Sequence, residues 1–179
     1  MLERERKYRL SADETIRLTA LLEREAVHDR SEIQDNARYA ERDASGPGVD
    51  LRLRTVAGRQ ELTLKGPRLE RGASKVREEF NVAVSGDVRP FLEALGFAEV
   101  LTYRKRTSIY MMSGAMVSLD DVEDLGLFCE VEAADDEVIE AVARRLGLAA
   151  SALEQRGYAR LVKDARAAAA LSGSVDRMP

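Results

Sequence analysis

Seven short runs of this chain have an alternating character, with one parity charged almost throughout: 2–9, 50–56, 60–66, 75–84, 100–111, 115–121 and 127–133. Successive side chains of a strand point to opposite faces, so each run is read as a strand with one charged and one apolar face. The charged parity holds Glu3, Glu5 and Lys7; Arg52 and Arg54; Glu61, Thr63 and Lys65; Arg77, Glu79 and Asn81; Arg104, Arg106 and Ser108; Ser118 and Asp120; and Glu130 and Glu132. The other parity is mostly apolar, as in Leu51, Leu53, Leu62, Leu64, Val76, Phe80, Val82, Val117, Leu119, Cys129 and Val131, and needs covering by helices. An open antiparallel sheet also alternates, with its polar face in water. Two features point instead to an enclosed charged interior. Arg and carboxylate recur where a solvated face carries a mixture of Thr, Ser, Lys and Gln. The first and last runs also bring charges that meet if the sheet closes into a barrel.

Helices are read between and after the runs. Ser11 with Glu14 forms a capping box ahead of Ile16, Leu18, Leu21 and Leu22, predicting a helix over about 12–26. Residues 86–96 and 135–147 give two more. A fourth is expected to begin near Ser151, with Glu154 as its capping partner, and to continue into the alanine-rich 165–170. Gly46-Pro47-Gly48, Gly58-Arg59, Gly66-Pro67, Gly72, Ser113-Gly114 and Gly126 mark turns, so most neighbouring runs can pair as antiparallel hairpins or meanders. The 179 residues suit one domain. That domain is placed at 1–171, with 172–179 as a frayed tail.

The expected interior carries seven carboxylates (Glu3, Glu5, Glu61, Glu79, Asp120, Glu130, Glu132) and seven cations (Lys7, Arg52, Arg54, Lys65, Arg77, Arg104, Arg106). Buried ions cost several kcal/mol each unless paired or occupied, so such a barrel stays wet and favours a ligand bearing both charge signs. A triphosphate with a divalent metal is such a ligand. Arg and Lys engage phosphate oxygens, and carboxylates hold Mg²⁺ or Mn²⁺, hard cations that prefer oxygen.

Other chemistries lack their residues. The only histidine, His28, stands in a polar stretch and reads as a surface residue, which excludes Ser-His-Asp catalysis and histidine metal sites. One cysteine, Cys129, gives neither an intrachain disulfide nor a cysteine-rich zinc cluster and suits a reducing compartment. Charged residues are 34% of the chain, but the net charge is −4 and aromatics are 5%, against a basic stacking surface for nucleic acid. No signal-like start and no run of ~20 apolar residues is present, so a cytoplasmic location is expected.

The opening Glu3-Arg4-Glu5-Arg6-Lys7 resembles the Glu-x-Glu-x-Lys signature of the CYTH superfamily, the triphosphate tunnel metalloenzymes. The resemblance continues in order through Leu51-Arg52-Leu53-Arg54, Leu62-Thr63-Leu64-Lys65-Gly66-Pro67, Arg77-Glu78-Glu79, Arg104-Lys105-Arg106, Leu119-Asp120-Asp121-Val122 and Leu125-Gly126-Leu127-Phe128-Cys129-Glu130-Val131-Glu132. It implies an α+β fold: a closed eight-stranded antiparallel β-barrel, the triphosphate tunnel, with flanking α-helices. It further implies Glu3, Glu5, Glu130 and Glu132 as metal-binding acids with Mg²⁺ or Mn²⁺ as cofactor. Lys7, Arg52, Arg54, Lys65, Arg77, Arg104 and Arg106 are implied as the triphosphate-binding set, with Lys7 and Asp120 as catalytic candidates. Three positions depart from the family pattern. Gln34 to Tyr39 fits a usual Asp-aromatic segment only loosely, so Asp35 and Tyr39 are left out of the site. Lys105 takes the role of Arg104 if its strand slips by one residue. Gly157-Tyr158 stands where Ser-Tyr is common, and Tyr158 is either a tunnel closure or a helix-packing residue.

The resemblance is greatest to the class IV adenylyl cyclase-like branch, implying conversion of ATP to cyclic AMP and pyrophosphate. The alternative is a triphosphatase acting on thiamine triphosphate, inorganic triphosphate or a nucleoside triphosphate. A third reading is a binding module for triphosphate or polyphosphate without catalysis. The expected partner is therefore a small triphosphate, not a membrane or nucleic acid, and a homodimer is left open.

Overall fold

The computed structural model describes residues 2–42, 50–69 and 72–175. The turn expected at Gly46-Pro47-Gly48 and the final tail residues 176–179 lie outside the described residues. Eight strands are present: β1 (Leu2–Leu10), β2 (Val27–Glu41), β3 (Asp50–Val56), β4 (Arg59–Lys65), β5 (Lys75–Val84), β6 (Phe97–Met112), β7 (Ala115–Val122) and β8 (Gly126–Glu132). They close into an antiparallel barrel in the order β1-β5-β4-β3-β2-β6-β7-β8, first strand against last. Closure pairs Glu5 with Glu132 and Lys7 with Glu130, bringing the two ends of the sequence pattern together.

Seven of these strands are the alternating runs. The eighth, β2, was not visible as alternation. Its inward residues Gln34, Asn36 and Arg38 are polar, and its outward face is mixed: Ala37 and Tyr39 are buried while Ile33 and Asp35 are exposed. Two hairpins turn within two residues that both have positive φ: Ala57-Gly58 (47° and 79°) between β3 and β4, and Ser113-Gly114 (51° and 83°) between β6 and β7. That is the twist two-residue hairpins favour, and glycine takes it without a Cβ clash.

Helix α1 (Ala12–Glu25) starts on the expected capping box, with the Ser11 side chain accepting from the Glu14 amide and Glu14 reaching back to the Ser11 amide. Its Leu18 and Leu22, with Ile139 and Val142 of α3 (Asp136–Arg145), cover the outward Tyr8, Val117, Cys129 and Val131. The short α2 (Arg89–Ala94) sets Leu92 against Leu51, Leu53 and Tyr39. The helix expected from Ser151 does not form there. A single 3₁₀ turn occupies Ala150–Ala152, Leu153 bridges to Tyr8, and α4 runs over Tyr158–Val175, through residues assigned to the tail. Glu154 does not cap Ser151: its carboxylate accepts from the backbone and guanidinium of Arg156 instead. Among the described residues no helix is long and apolar enough to cross a membrane.

Candidate functional site

The barrel encloses a cavity of about 450 Å³. Alternation alone delivers most of its lining: Glu3, Glu5 and Lys7 from β1; Arg52 and Arg54 from β3; Glu61 and Lys65 from β4; Arg77, Glu79 and Asn81 from β5; Ser118 from β7; and Glu130 and Glu132 from β8. The charges are not evenly mixed. Guanidiniums crowd the β2–β3 side, and the acids of β1 and β8 face them.

Two ion-pair networks organise the interior. In the first, Lys65 Nζ pairs with Glu79 and approaches Glu3 Oε1 at 3.3 Å, while Arg77 Nε donates to Glu3 Oε2 at 2.8 Å. In the second, Lys7 Nζ lies 3.5 Å from Glu130, donates to the Arg156 carbonyl at 2.9 Å and sits 3.9 Å above the Tyr158 ring. Lys105 Nζ and the Tyr158 hydroxyl both donate to Asp120 Oδ2, at 2.8 and 2.7 Å. Of the two readings of Tyr158, the packing one is seen directly, and its ring also reaches the cavity. It lines the cavity and packs among Tyr103, Val122, Phe128 and Leu161.

Three sequence expectations are corrected here. Arg104 and Arg106 do not enter the barrel; they point outward and pair with Asp35 (2.7 Å) and Asp121 (3.4 Å) on the outer surface. Lys105 is the inward residue of that trio, 7% exposed. The pairing of Lys105 with Gln34 and Val122 fixes that parity. Asp120 is 2% exposed and absent from the cavity lining, so it holds Lys105 and Tyr158 in place and does not face the cavity. Asp35 and Tyr39, left out of the site, stand on the outer surface and in the α2 core respectively.

Sequence reasoning missed Arg38, Lys75 and Tyr103. Arg38 and Tyr103 line the cavity, whereas Lys75 is buried and donates to Glu5 Oε1 at 2.6 Å. Lys75 opens the 75–84 run on the parity of Arg77 and Glu79, so that parity already carried the signal for it. Arg38 carried no such signal, because its strand lacks alternation.

The four candidate metal acids differ in their surroundings. Burial works to raise the Glu5 pKa, but Lys75, Lys7 and Lys65 outweigh it and hold this carboxyl well below its ordinary range. Glu132 is the opposite case: burial, then the charges of Glu3, Glu5 and Glu130, push it up to about 7. Burial and Glu5 likewise raise Glu130 against the pull of Lys105 and Lys7. Among the described residues Glu132 makes no ion pair or side-chain hydrogen bond. An acidic side chain short of positive charge, beside three others, has the donor chemistry a hard divalent cation requires. No three such donors among the described residues already stand in a coordinating arrangement, since Glu3 and Glu5 are turned to Arg77 and Lys75. Binding a cation there requires those side chains to turn.

Comparison with known proteins follows the same outline. The CYTH domain profile matches residues 1–158. The adenylate cyclase CyaB of Aeromonas hydrophila is 32% identical over 169 residues, 87% of this chain and 86% of that protein. A Methanocaldococcus jannaschii protein provisionally named an adenylate cyclase is 39% identical over 92 residues, and that match spans 50% of this chain and 52% of the other. The solved structure of a conserved hypothetical protein from Pyrococcus furiosus superposes with a TM-score of 0.75 at 25% identity, covering 89% of this chain and 99% of that one.

Proposed function

The chain belongs to the CYTH domain family, and from that premise we propose that it is a metal-dependent enzyme acting on a triphosphate held inside the barrel. The first reading is a class IV adenylyl cyclase-like reaction. In it the ribose 3′-hydroxyl of ATP gives up its proton, for which Lys7 is the candidate acceptor, its oxygen bonds to the α-phosphorus, the α–β bridging P–O bond breaks, and pyrophosphate leaves with that electron pair. The observation that carries the proposal is the division of the cavity wall, with Arg52 and Arg54 of β3 across the barrel from Glu3, Glu5, Glu130 and Glu132 of β1 and β8.

Phosphoryl transfer asks for positioning and charge neutralisation more than for covalent chemistry by the protein. Arg52, Arg54, Lys65 and Arg77 hold and orient the phosphate oxygens by charged hydrogen bonds. Glu130 and Glu132, joined by Glu3 and Glu5, are the residues that would hold Mg²⁺ or Mn²⁺. Such an ion, when bound, supplies Lewis-acid neutralisation of phosphate charge. Lys7 is lowered to about 8 by burial, so this group is the candidate for holding or passing a proton at the reacting phosphate. Asp120 acts indirectly, by fixing Lys105 and the Tyr158 hydroxyl.

One observation favours the triphosphatase alternative. Tyr103, Met116 and Tyr158 supply the apolar side chains of significant size in the lining, and the Tyr158 ring is already taken by Lys7, leaving little surface on which to stack a base. Water attacking a terminal phosphorus needs no such surface. Incubating the chain with ATP, inorganic triphosphate and thiamine triphosphate in Mg²⁺ or Mn²⁺ separates the readings. Cyclic AMP with pyrophosphate supports the cyclase, phosphate without cyclic AMP assigns the triphosphatase, and full turnover in excess chelator ends the metal role. Tight binding of all three without turnover would leave a binding module. In the active case Lys65→Ala is expected to weaken triphosphate engagement about 10- to 100-fold, the worth of a lost charged hydrogen bond of roughly 1.5–3 kcal/mol. Glu130→Gln instead raises the metal requirement and is partly rescued by added metal.

A further inference from the structure

The inward faces of β2 and β3 place three guanidiniums together. Arg38 stands directly across the ladder from Arg52, and Arg54 lies one inward position further along, beside Asn36. Their partners do not match their charge. Arg54 Nε reaches only the Asn36 amide oxygen, at 3.5 Å, and Arg52 Nη2 donates to Thr63 Oγ1 at 3.0 Å. Arg52 is 9% exposed, and its Nε is buried without a hydrogen-bond partner among the described residues. No carboxylate among the described residues lies within ion-pairing distance of Arg52 or Arg54. Among the described residues the one carboxylate in ion-pairing contact with the trio is Asp50, at the start of β3, which pairs with Arg38 and also lies 3.7 Å from Arg77.

We propose that Arg38 is a phosphate-contacting residue that completes a three-guanidinium subsite with Arg52 and Arg54, and that Asp50 is the resting counter-ion a polyphosphate chain displaces on entering. The inference rests on the reading of the barrel as a triphosphate site. It assigns a contact that neither the alternation nor the family resemblance supplied. Arg52 and Arg54 are two residues apart, about 6–7 Å along the strand at 3.3 Å per residue, so the cluster reaches across more than a single phosphoryl group. Planar guanidinium forks suit that target, because each presents paired donors to phosphate oxygens. The crowding is itself felt: burial, then the charges of Arg52 and Arg77, lowers Arg38 to about 10. An arriving polyanion relieves this repulsion and gives the buried Arg52 Nε an acceptor.

The test uses the full chain and inorganic triphosphate in excess chelator, with binding followed by titration calorimetry. Chelation isolates the basic wall from the acids. Arg38→Gln is expected to bind about 10- to 100-fold more weakly than the unmodified chain, the loss that removal of one charged hydrogen-bond partner predicts. Asp50→Asn is expected to bind several-fold more tightly, and most of that gain should vanish in the double variant, because Asp50 acts through Arg38. Should the glutamine variant fail to fold, Arg38→Lys keeps the charge and removes the fork, and a loss of about 10-fold is expected. Unchanged affinity in the folded Arg38 variants, or a full Asp50→Asn gain without Arg38, overturns the proposal while leaving the triphosphate reading intact. A chain that binds neither inorganic triphosphate nor ATP, with or without metal, overturns both.

Discussion

The two halves of the barrel obey the same alternation and end in different states. In the half formed by β6, β7, β8 and β1, α1 and α3 cover the middle of the outer face and bury Val117, Cys129 and Val131 fully, while Leu2 and Val100 at its margins stay exposed. Most of its inner charges are saturated by one another, Lys105, Tyr158, Lys7 and Glu130 among them, although among the described residues Asp120 Oδ1 is buried without a hydrogen-bond partner and Glu132 makes no ion pair. In the half formed by β2 to β5, α2 covers Leu51 and Leu53, but Leu64, Phe80 and Val82 remain 37%, 54% and 58% exposed on the outside. Its inner Arg52 and Arg54 have no carboxylate within ion-pairing distance among the described residues. Around Lys105 and Tyr158 the first half's charges hold each other; the second half keeps the charge of Arg52 and Arg54 available for a ligand. Equal patterning does not make equal function, because an ion already paired in a dry setting has little left to offer a substrate.

The largest effect should come from breaking the saturated half. Asp120→Ala leaves the buried Lys105 ammonium and the Tyr158 hydroxyl without their acceptor, a loss of roughly 3–5 kcal/mol, read as a lowered denaturant midpoint. A loss below about 1 kcal/mol would mean that Lys105 repairs itself on Glu130, now 3.8 Å away, and that this half is more adaptable than its packing implies.

A smaller effect belongs to Glu132, which stands within the first half on β8, between β7 and β1, and makes no ion pair among the described residues. Its folded value near 7 lies above the ordinary 4.5, so between these pH values the folded chain keeps a proton that the unfolded chain releases. The stability this carboxyl contributes is complete below about pH 4.5 and is lost as pH rises through 7. Subtracting the metal-free stability curve of Glu132→Gln from that of the unmodified chain should therefore give a difference that declines over this window and flattens above it. A difference independent of pH would show that the neighbouring carboxylates do not crowd Glu132.

The smallest effect is expected on the uncovered outer face. Val82→Thr preserves β-branching at an exposed position and should shift stability by no more than about 0.5 kcal/mol in denaturant melts. A larger loss would indicate that this face is buried in solution and would sharpen the contrast between the halves.

Much of the molecule was legible because strand parity is a local property. Glu3, Glu5, Lys7, Arg52, Arg54, Lys65, Arg77, Glu79, Glu130 and Glu132 face the cavity as the parity of their runs required, on β1 even though the alternate Arg4 and Arg6 are charged too. The failures came where alternation carries no information. Arg104-Lys105-Arg106 offers three consecutive cations with no apolar member to set the phase. The strand β2, polar on its inner face and only partly covered outside, shows no period at all. The end of the chain misled in another way: Ser151 and Glu154 have capping-box spacing, but Leu153 is drawn onto Tyr8 and Glu154 onto Arg156.

The sequence by itself therefore determined that this chain builds a sheet with one charged and one apolar face, because side-chain direction in a strand depends only on position along it. Only the tertiary structure decided which charges remain available. Barrel closure, the inward turn of Lys105 and the placing of Tyr158 between Lys7 and Asp120 all depend on partners distant in the chain. An ion pair is settled by distance in space, which strand registers and the docking of α4 set and which no local run of residues encodes.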